Sequence, residues 1–245
     1  MNKVSDILSY ITDIAPLHWQ ENYDNSGLLL GDANALVDKV LLTLDVTEKV
    51  IDEAIENSFH LIISHHPLIF KGLKNILNDN TVGRIITKAI KNDISIAAMH
   101  TNLDNSYLGV NRALAEKLGL KDLQILRQNY SEEGMQIGSG MIGVLDDEMS
   151  EKDFMSFVKD KLNVPAIRHS ELLNRPIKKV ALCGGSGSFL INDAKRCKAD
   201  AYLTADVKYH DFFDADNEIL IVDAGHFETE QFTKQLFADI ILKKN

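Results

Sequence analysis

The sequence predicts an α/β protein built as two similar lobes, each a mostly parallel sheet covered by helices. Three observations predict it: short apolar runs alternate with helical periodicity, the alternation recurs at the same offset in both halves, and the third strand of each half is followed by His-x-x-x-carboxylate. Val4, Ile7, Leu8, Ile11 and Ile14 recur at helical spacing until Pro16 closes the segment, so the chain opens with an amphipathic helix. Val40 to Leu44 reads as a strand, Val50, Ile51, Ala54 and Ile55 as a helix, and Leu61-Ile62-Ile63 as a buried strand. Ile85, Ile86, Ala89 and Ile90 mark a further helix, and Ile94 to Ala98 a third strand.

The second half repeats the plan with strand Val180 to Leu182, a helix over Phe189 to Cys197, strands Ala201 to Leu203 and Ile219 to Val222, and a last helix from about Glu228. The step from Val40 to Leu61 equals that from Val180 to Ala201, which suggests an internal duplication. The lobes are expected at 1–125 and 126–245, packed closely, with the ligand-bearing strand ends between them. The charged, turn-forming stretch Ser131-Glu132-Glu133-Gly134 marks the crossing.

Composition narrows the function. The 36 acidic and 26 basic side chains give a formal net charge of -10, which opposes sequence-independent attraction to nucleic-acid backbones and anionic membranes. The N-terminal stretch interrupts its apolar pattern with charge, unlike a secretory signal, and no apolar run reaches membrane-spanning length. Cys183 and Cys197 alone are too few for a thiolate metal site or a disulfide scaffold. A soluble cytoplasmic protein without membrane or nucleic-acid partners is expected.

The chemistry lies at the strand ends. His65 and His66 stand after Leu61 to Ser64 and before Pro67, at the carboxyl edge where open α/β sheets bind ligands. Neighbours in an extended segment face opposite sides, so each imidazole is expected to reach a different metal. His100 with Asp104, and His226 with Glu230, follow strands of the same kind. Where the chain is helical, their spacing of four puts both side chains on one face. Such an imidazole and carboxylate set without thiolate suits zinc, iron, manganese, cobalt or nickel. Two ions about 3.5–4 Å apart would activate a water and clamp the leaving atom, with Glu230 as the bridging candidate.

Cys183-Gly184-Gly185-Ser186-Gly187-Ser188 joins a strand to a helix and either cradles a phosphate or makes a tight steric turn; it is neither a Walker motif nor a complete G-x-G-x-x-G. Asp206 and His210 follow Ala201 to Leu203 and are read as a hydrogen-bond partner of a ligand or a proton shuttle. Asp24-Asn25-Ser26-Gly27 reads as a turn, and Trp19, Tyr23 and Phe70 as packing residues.

Taken together these blocks resemble the family of GTP cyclohydrolase type 2 homologues, also called NGG-interacting-factor-three-like proteins. The resemblance rests on Tyr23-Asp24-Asn25-Ser26-Gly27-Leu28, Ser64-His65-His66-Pro67-Leu68, His100-Thr101-Asn102-Leu103-Asp104, Gly184-Gly185-Ser186-Gly187, Thr204 to His210, and Gly225-His226-Phe227-Glu228-Thr229-Glu230. It implies a dinuclear centre held by His65, His66, Asp104, His226 and Glu230, with His100 as a further ligand or an acid/base. It also implies a homohexamer, a trimer of dimers, and this chain is similar to the short members that lack an inserted middle domain. Two departures, Tyr23 for the family's usual Trp and Ala205 for its usual Gly, fall outside the proposed ligands.

The expected function is a metal-dependent hydrolase of a nucleotide or related small ligand, GTP cyclohydrolase-like, with His100 or His210 moving protons. The alternative is a metal-binding, ring-shaped scaffold or regulator without turnover.

Overall fold

The computed structural model of the protein describes residues 1–132 and 134–244, with the backbone alone at Tyr130, Ser131 and Glu132. Contacts divide the chain into two units, Met1–Leu103 together with the residues from Thr233 onward, and Asp104–Phe232. The division therefore falls after Leu103, and not between residues 125 and 126.

In the first unit β1 (Asn2–Lys3) leads into α1 (Val4–Thr12), followed by β2 (Gly27–Leu30), β3 (Leu36–Val37), β4 (Val40–Thr43), α2 (Glu48–Glu56), β5 (Leu61–Ser64), α3 (Thr81–Lys91) and β6 (Ser95–Ala98). The short α4 (Thr101–Asp104) carries the chain onward. β4, β5 and β6 lie side by side and parallel, with Val40 opposite Leu61 and Leu61 opposite Ser95. β2 joins the far side of β6 in the antiparallel sense, while β1 and β3 form a separate antiparallel ribbon. Every residue of β5 and β6 is buried, which is why both read as unbroken apolar runs.

Helices α2 and α3 cover this sheet with Ile51, Ala54, Ile85 and Ala89 against Ile62 and Ile96. Each fully buried isoleucine contributes about 1.5–3 kcal/mol relative to exposure. Both helices are started by side-chain caps: Val50 N–H donates to Thr47 Oγ1 at 3.3 Å, and Gly83 N–H to Asn80 Oδ1 at 2.8 Å. Arg84 of α3 bonds Glu48 of α2 at 2.7 Å, holding the pair in register.

The second unit contains α5 (Val110–Lys117), β7 (Lys121–Glu132), β8 (Met135–Met149), α6 (Glu151–Leu162), β9 (Arg168–His169), β10 (Ile177–Ser186), α7 (Ile191–Arg196), β11 (Ala201–Ala205), β12 (Leu220–Asp223) and α8 (His226–Glu230). Its sheet runs β7-β8-β10-β11-β12-β9. Only the pairs β10–β11 and β11–β12 are parallel, so this sheet is mixed and not mostly parallel as the sequence suggested. Val180, Leu182, Leu203 and Val222 face Leu114, Phe154 and Val158 on one side, while Ala181, Tyr202 and Ile221 face Leu190, Ile191 and Ala194 on the other. This two-sided burial follows from the alternation of side chains along a strand.

The antiparallel part comes from the hairpin β7–β8, in the stretch read from sequence as a crossing point. Glu133 of that stretch lies outside the described residues, and the strands on either side pair from Lys121 opposite Val144 to Glu132 opposite Met135. Glycines in β8 are a requirement of this pairing, since a Cβ on Gly138 would stand 2.1 Å from the Arg127 carbonyl oxygen. The hairpin thus belongs to the second sheet, which moves the division back to Leu103.

The last helix of the sequence reading is two: α8, then α9 (Thr233–Lys244), which returns to the first unit, packs on α1 and β4 and buries Phe237. The expected helix over Phe189 to Cys197 is a 3-10 turn at Ser188–Leu190 followed by α7. Among the described residues no helix is long and apolar enough to cross a membrane.

Gly138→Ala is expected to lower stability by about 1–3 kcal/mol through overpacking. Gly72→Ala, where an added Cβ meets nothing within 4 Å, is expected to stay within roughly 0.5 kcal/mol. Urea denaturation of both variants checks the contrast.

Candidate metal centre

Three imidazoles gather at the carboxyl edge of the first unit's parallel strands. The hydrogen-bond ladder runs past the end of β5: His65 N–H donates to Thr43 O at 3.3 Å, His66 N–H to Leu44 O at 3.0 Å, and Met99 N–H to Ser64 O at 3.0 Å. This fixes the backbone from which the rings project. His65 is fully buried, and its Nδ1 lies 2.9 Å from the Met99 carbonyl oxygen, a group that can only accept. Nδ1 therefore carries a proton, and in the neutral ring the lone pair is on Nε2.

His66 and His100 are held in the same way. His66 Nδ1 is 2.8 Å from Asp45 Oδ1, and His100 Nδ1 is 2.8 Å from Asp24 Oδ1. Ring centroids are 4.9 Å apart for His65 and His66, 5.2 Å for His65 and His100, and 5.4 Å for His66 and His100. One ring nitrogen from each lies within 4.8 Å of the others, so the three can hold a metal ion together. The neighbouring rings of His65 and His66 converge and do not point to opposite sides, because the strand ends at Ser64 before either histidine is reached.

Asp24 organises one side of this group. Its carboxylate accepts from the Asn25 amide at 2.7 Å, the Thr101 amide at 3.0 Å, the Ser26 hydroxyl at 3.1 Å and the Thr101 hydroxyl, besides His100. Burial pushes its carboxyl up, but the bonds from His100 and Thr101 outweigh it and hold it well below the usual carboxylate range.

In the second unit β12 is followed by Ala224 and Gly225, and then by α8. Gly225 adopts φ 87°, where a Cβ would meet Glu228 Oε2 at 2.3 Å. One helical turn then brings His226 Nε2 to 3.1 Å from Glu230 Oε2, as the spacing of four predicts. His226 Nδ1 is 2.6 Å from Asp206 Oδ2. The Glu230 hydrogen bond, reinforced by its charge and by Asp206, outweighs burial and raises the His226 pKa from 6.5 to about 9.

The glycine-rich loop reaches this pair for steric reasons. A Cβ on Gly185 would stand 2.3 Å from Glu230 Oε1 and 3.1 Å from His226 Nε2, and φ at this residue is 61°. Gly184 N–H donates to Asn111 Oδ1 at 2.9 Å, and Gly185 N–H to Thr229 Oγ1 at 3.0 Å. These two amides are therefore already bonded within the protein, and clearance for Glu230 is what requires glycine here.

Asp104 ends α4, and its carbonyl accepts from Asn111 Nδ2 at 3.1 Å. Burial first, and then the Asp104 and Glu230 carboxylates, push the Cys183 thiol far up, so that it stays protonated. His210 is exposed at the start of a 3-10 turn, with its ring edge-on to Tyr209 at 5.1 Å and 6.1 Å from Phe213. Among the described residues it belongs to no group able to hold a metal ion.

The carboxylates that orient the histidines are what sequence reasoning passed over at Asp24 and Asp45. A signal was available: Asp45 follows β4 and bonds the histidine after β5, and Asp206 follows β11 and bonds the histidine after β12. Tyr23 and Phe70, read as packing residues, are exposed; of that trio only Trp19 is buried.

These features define an α/β protein that displays oriented imidazoles and carboxylates able to hold metal at its strand ends. The chain belongs to the Duf34/NIF3 (NGG1p interacting factor 3) family, whose model matches residues 2–245. It is 39% identical over 229 residues to a GTP cyclohydrolase 1 type 2 homolog of Clostridium perfringens, covering 93% of this chain and 87% of that one. It is 37% identical over 240 residues to the Campylobacter jejuni protein of the same name, covering 96% and 90%. Its fold is similar to the crystal structure of a Bacillus cereus protein related to NIF3, with TM-score 0.93 and 30% identity over 100% of this chain and 93% of that one.

In metal-free protein the raised His226 pKa has a defined sign. The stability it contributes is fully present below pH 6.5 and lost as pH rises through about 9. NMR titration of the His226 ring is expected to give a midpoint near 9, falling toward the ordinary value in Glu230→Gln.

Proposed function

We propose that this chain is a metal-dependent hydrolase whose two divalent ions are held by His65, His66, Asp104, His226 and Glu230. The observation that carries the proposal is the shared constraint on the histidines. His65, His66, His100 and His226 each have Nδ1 committed to an oxygen acceptor, which fixes the ring and turns Nε2 to the side away from that acceptor, as in orienting shells around metal sites. Three of these acceptors are carboxylates, the usual partners of metal-ligating histidines. The donor set contains nitrogen and oxygen only, which accommodates zinc, iron, manganese, cobalt or nickel.

Divalent ions bound there would supply Lewis acidity and activation of water at neutral pH. The protein's own groups supply the rest. Glu230, 3% exposed and held against Gly185, is the carboxylate that would hold metal as the bridging candidate. His100, whose Nδ1 is bonded to Asp24 and whose ring lies edge-on to His65 at 5.2 Å, is the first proton-handling candidate. His210 is the second proton-handling candidate, on the exposed face of the turn that follows Asp206. The relatives named GTP cyclohydrolase 1 type 2 homolog make GTP the first nucleotide to try. Assembly as a homohexamer, a trimer of dimers, belongs to the same proposal.

Elemental analysis of protein purified without chelators is expected to give about two ions per chain. His66→Ala and Glu230→Ala should lose metal, and Glu230→Ala should also abolish nucleotide hydrolysis. Asp45→Asn should retain the fold while weakening metal affinity roughly 10–100-fold. A wild-type chain that holds no metal and cannot be reloaded moves the reading to a scaffold without turnover. A metal-replete chain inert toward a nucleotide panel removes the hydrolase.

A further inference from the structure

Two aromatic rings next to the imidazole group take no part in the metal site as proposed. Tyr23 is 65% exposed and Phe70 is 40% exposed, although both occupy segments fixed by hydrogen bonds. Their ring centroids are 6.3 Å apart with the planes tilted by 47°, and Phe70 meets His100 edge-on at 6.3 Å and 74°. An open angle of two rings is thus presented beside one of the three imidazoles.

The rings are anchored to the site's own supports. Tyr23 immediately precedes Asp24, the carboxylate that holds His100. Its segment is pinned by Glu21 N–H to Thr101 Oγ1 at 2.9 Å, Asp24 N–H to Glu21 O at 2.9 Å and Ser26 N–H to Gln20 Oε1 at 2.8 Å. Phe70 lies four residues beyond His66, and Asn25 Nδ2 donates to the carbonyl of Ile69 at 2.6 Å. One short segment therefore fixes the tyrosine, the phenylalanine loop and the His100 ring together.

Isolated exposed apolar side chains are ordinary on a protein surface. Two aromatic rings in contact and held in place, one of them edge-on to an imidazole of a metal-capable group, have the composition of a ligand wall. Rings at an angle of this kind receive a flat partner face-on at one ring and edge-on at the other, the two favoured aromatic geometries.

We propose that Tyr23 and Phe70 form a stacking wall that receives the planar heteroaromatic ring of the ligand, a purine-type base, beside His100. This names the substrate class for the hydrolase reading and rests on it for the chemistry that follows binding, but not for ring binding itself. Tyr23 and Phe70 are positioning residues: they set where the ring lies and leave proton transfer to other groups. Because stacking needs only a π-face, the wall selects for a flat ring and not for one base.

The test is equilibrium dialysis of guanosine and of ribose 5-phosphate, a probe without an aromatic ring, against metal-free and metal-loaded full-length protein. Guanosine is expected to bind in both states and to outcompete ribose 5-phosphate. Tyr23→Leu and Phe70→Leu should each weaken guanosine about tenfold without altering metal content, whereas Tyr23→Trp should retain binding. Guanosine that does not bind wild type in either state, or binds both leucine variants unchanged, overturns the proposal. Unchanged guanosine affinity with an altered oligomeric state in the leucine variants also overturns it, and assigns the rings to a contact between copies. Failure of the metal reading appears separately, as absence of metal with guanosine binding retained.

Discussion

The bond from an imidazole Nδ1 to a fixed oxygen is the interaction on which the candidate site depends. A histidine ring at a strand end can rotate and can carry its proton on either nitrogen. The Met99 carbonyl removes both freedoms for His65, and Asp45, Asp24 and Asp206 do so for His66, His100 and His226. Each such bond contributes about 0.5–1.5 kcal/mol to stability, and more where a charge takes part. Its larger effect is geometric. The acceptors stand within three residues of a strand end, so the position of the paired strands is passed to the rings.

Parallel pairing explains why acceptor and histidine meet at all. In a parallel sheet neighbouring strands end at the same edge, so a carboxylate after one strand lies beside a histidine after the next. β4, β5 and β6 in the first unit, and β10, β11 and β12 in the second, occur in the same order and with the same step between the first two strands. Asp45 serves His66 as Asp206 serves His226. β2 adds Asp24 by the complementary route: it runs antiparallel, so the residues before it reach the edge where its neighbours end.

Legibility in the sequence followed burial. Leu61 to Ile63 and Ala201 to Leu203 are buried strands, and continuous apolar runs report them directly. The hairpin β7–β8 is half exposed, rich in polar residues and interrupted by glycines that its close pairing requires, so it imitates a linker. The histidines stood out because each follows an apolar strand. Asp24 and Asp45 did not, because an orienting carboxylate is defined by a neighbour remote in sequence. The same holds for Tyr23 and Phe70, whose exposure depends on the path of two loops and leaves no periodic trace. Glycine at position 185 was visible, but the carboxylate it makes room for lies in another element.

The return of the chain to its first unit sets an order of events during synthesis. Residues Asp104–Phe232 form the second unit from one continuous stretch, whereas the first unit lacks α9 until the whole of the second unit has been made. α9 brings Phe237 into the core and packs on α1 and β4. On the ribosome, where a chain emerges from its N-terminus at about 5–20 residues per second, the second unit is therefore complete before the first. The segment made before the second unit is the one that closes after it, and its partly covered strands wait in the nascent chain for a helix that has not yet been made.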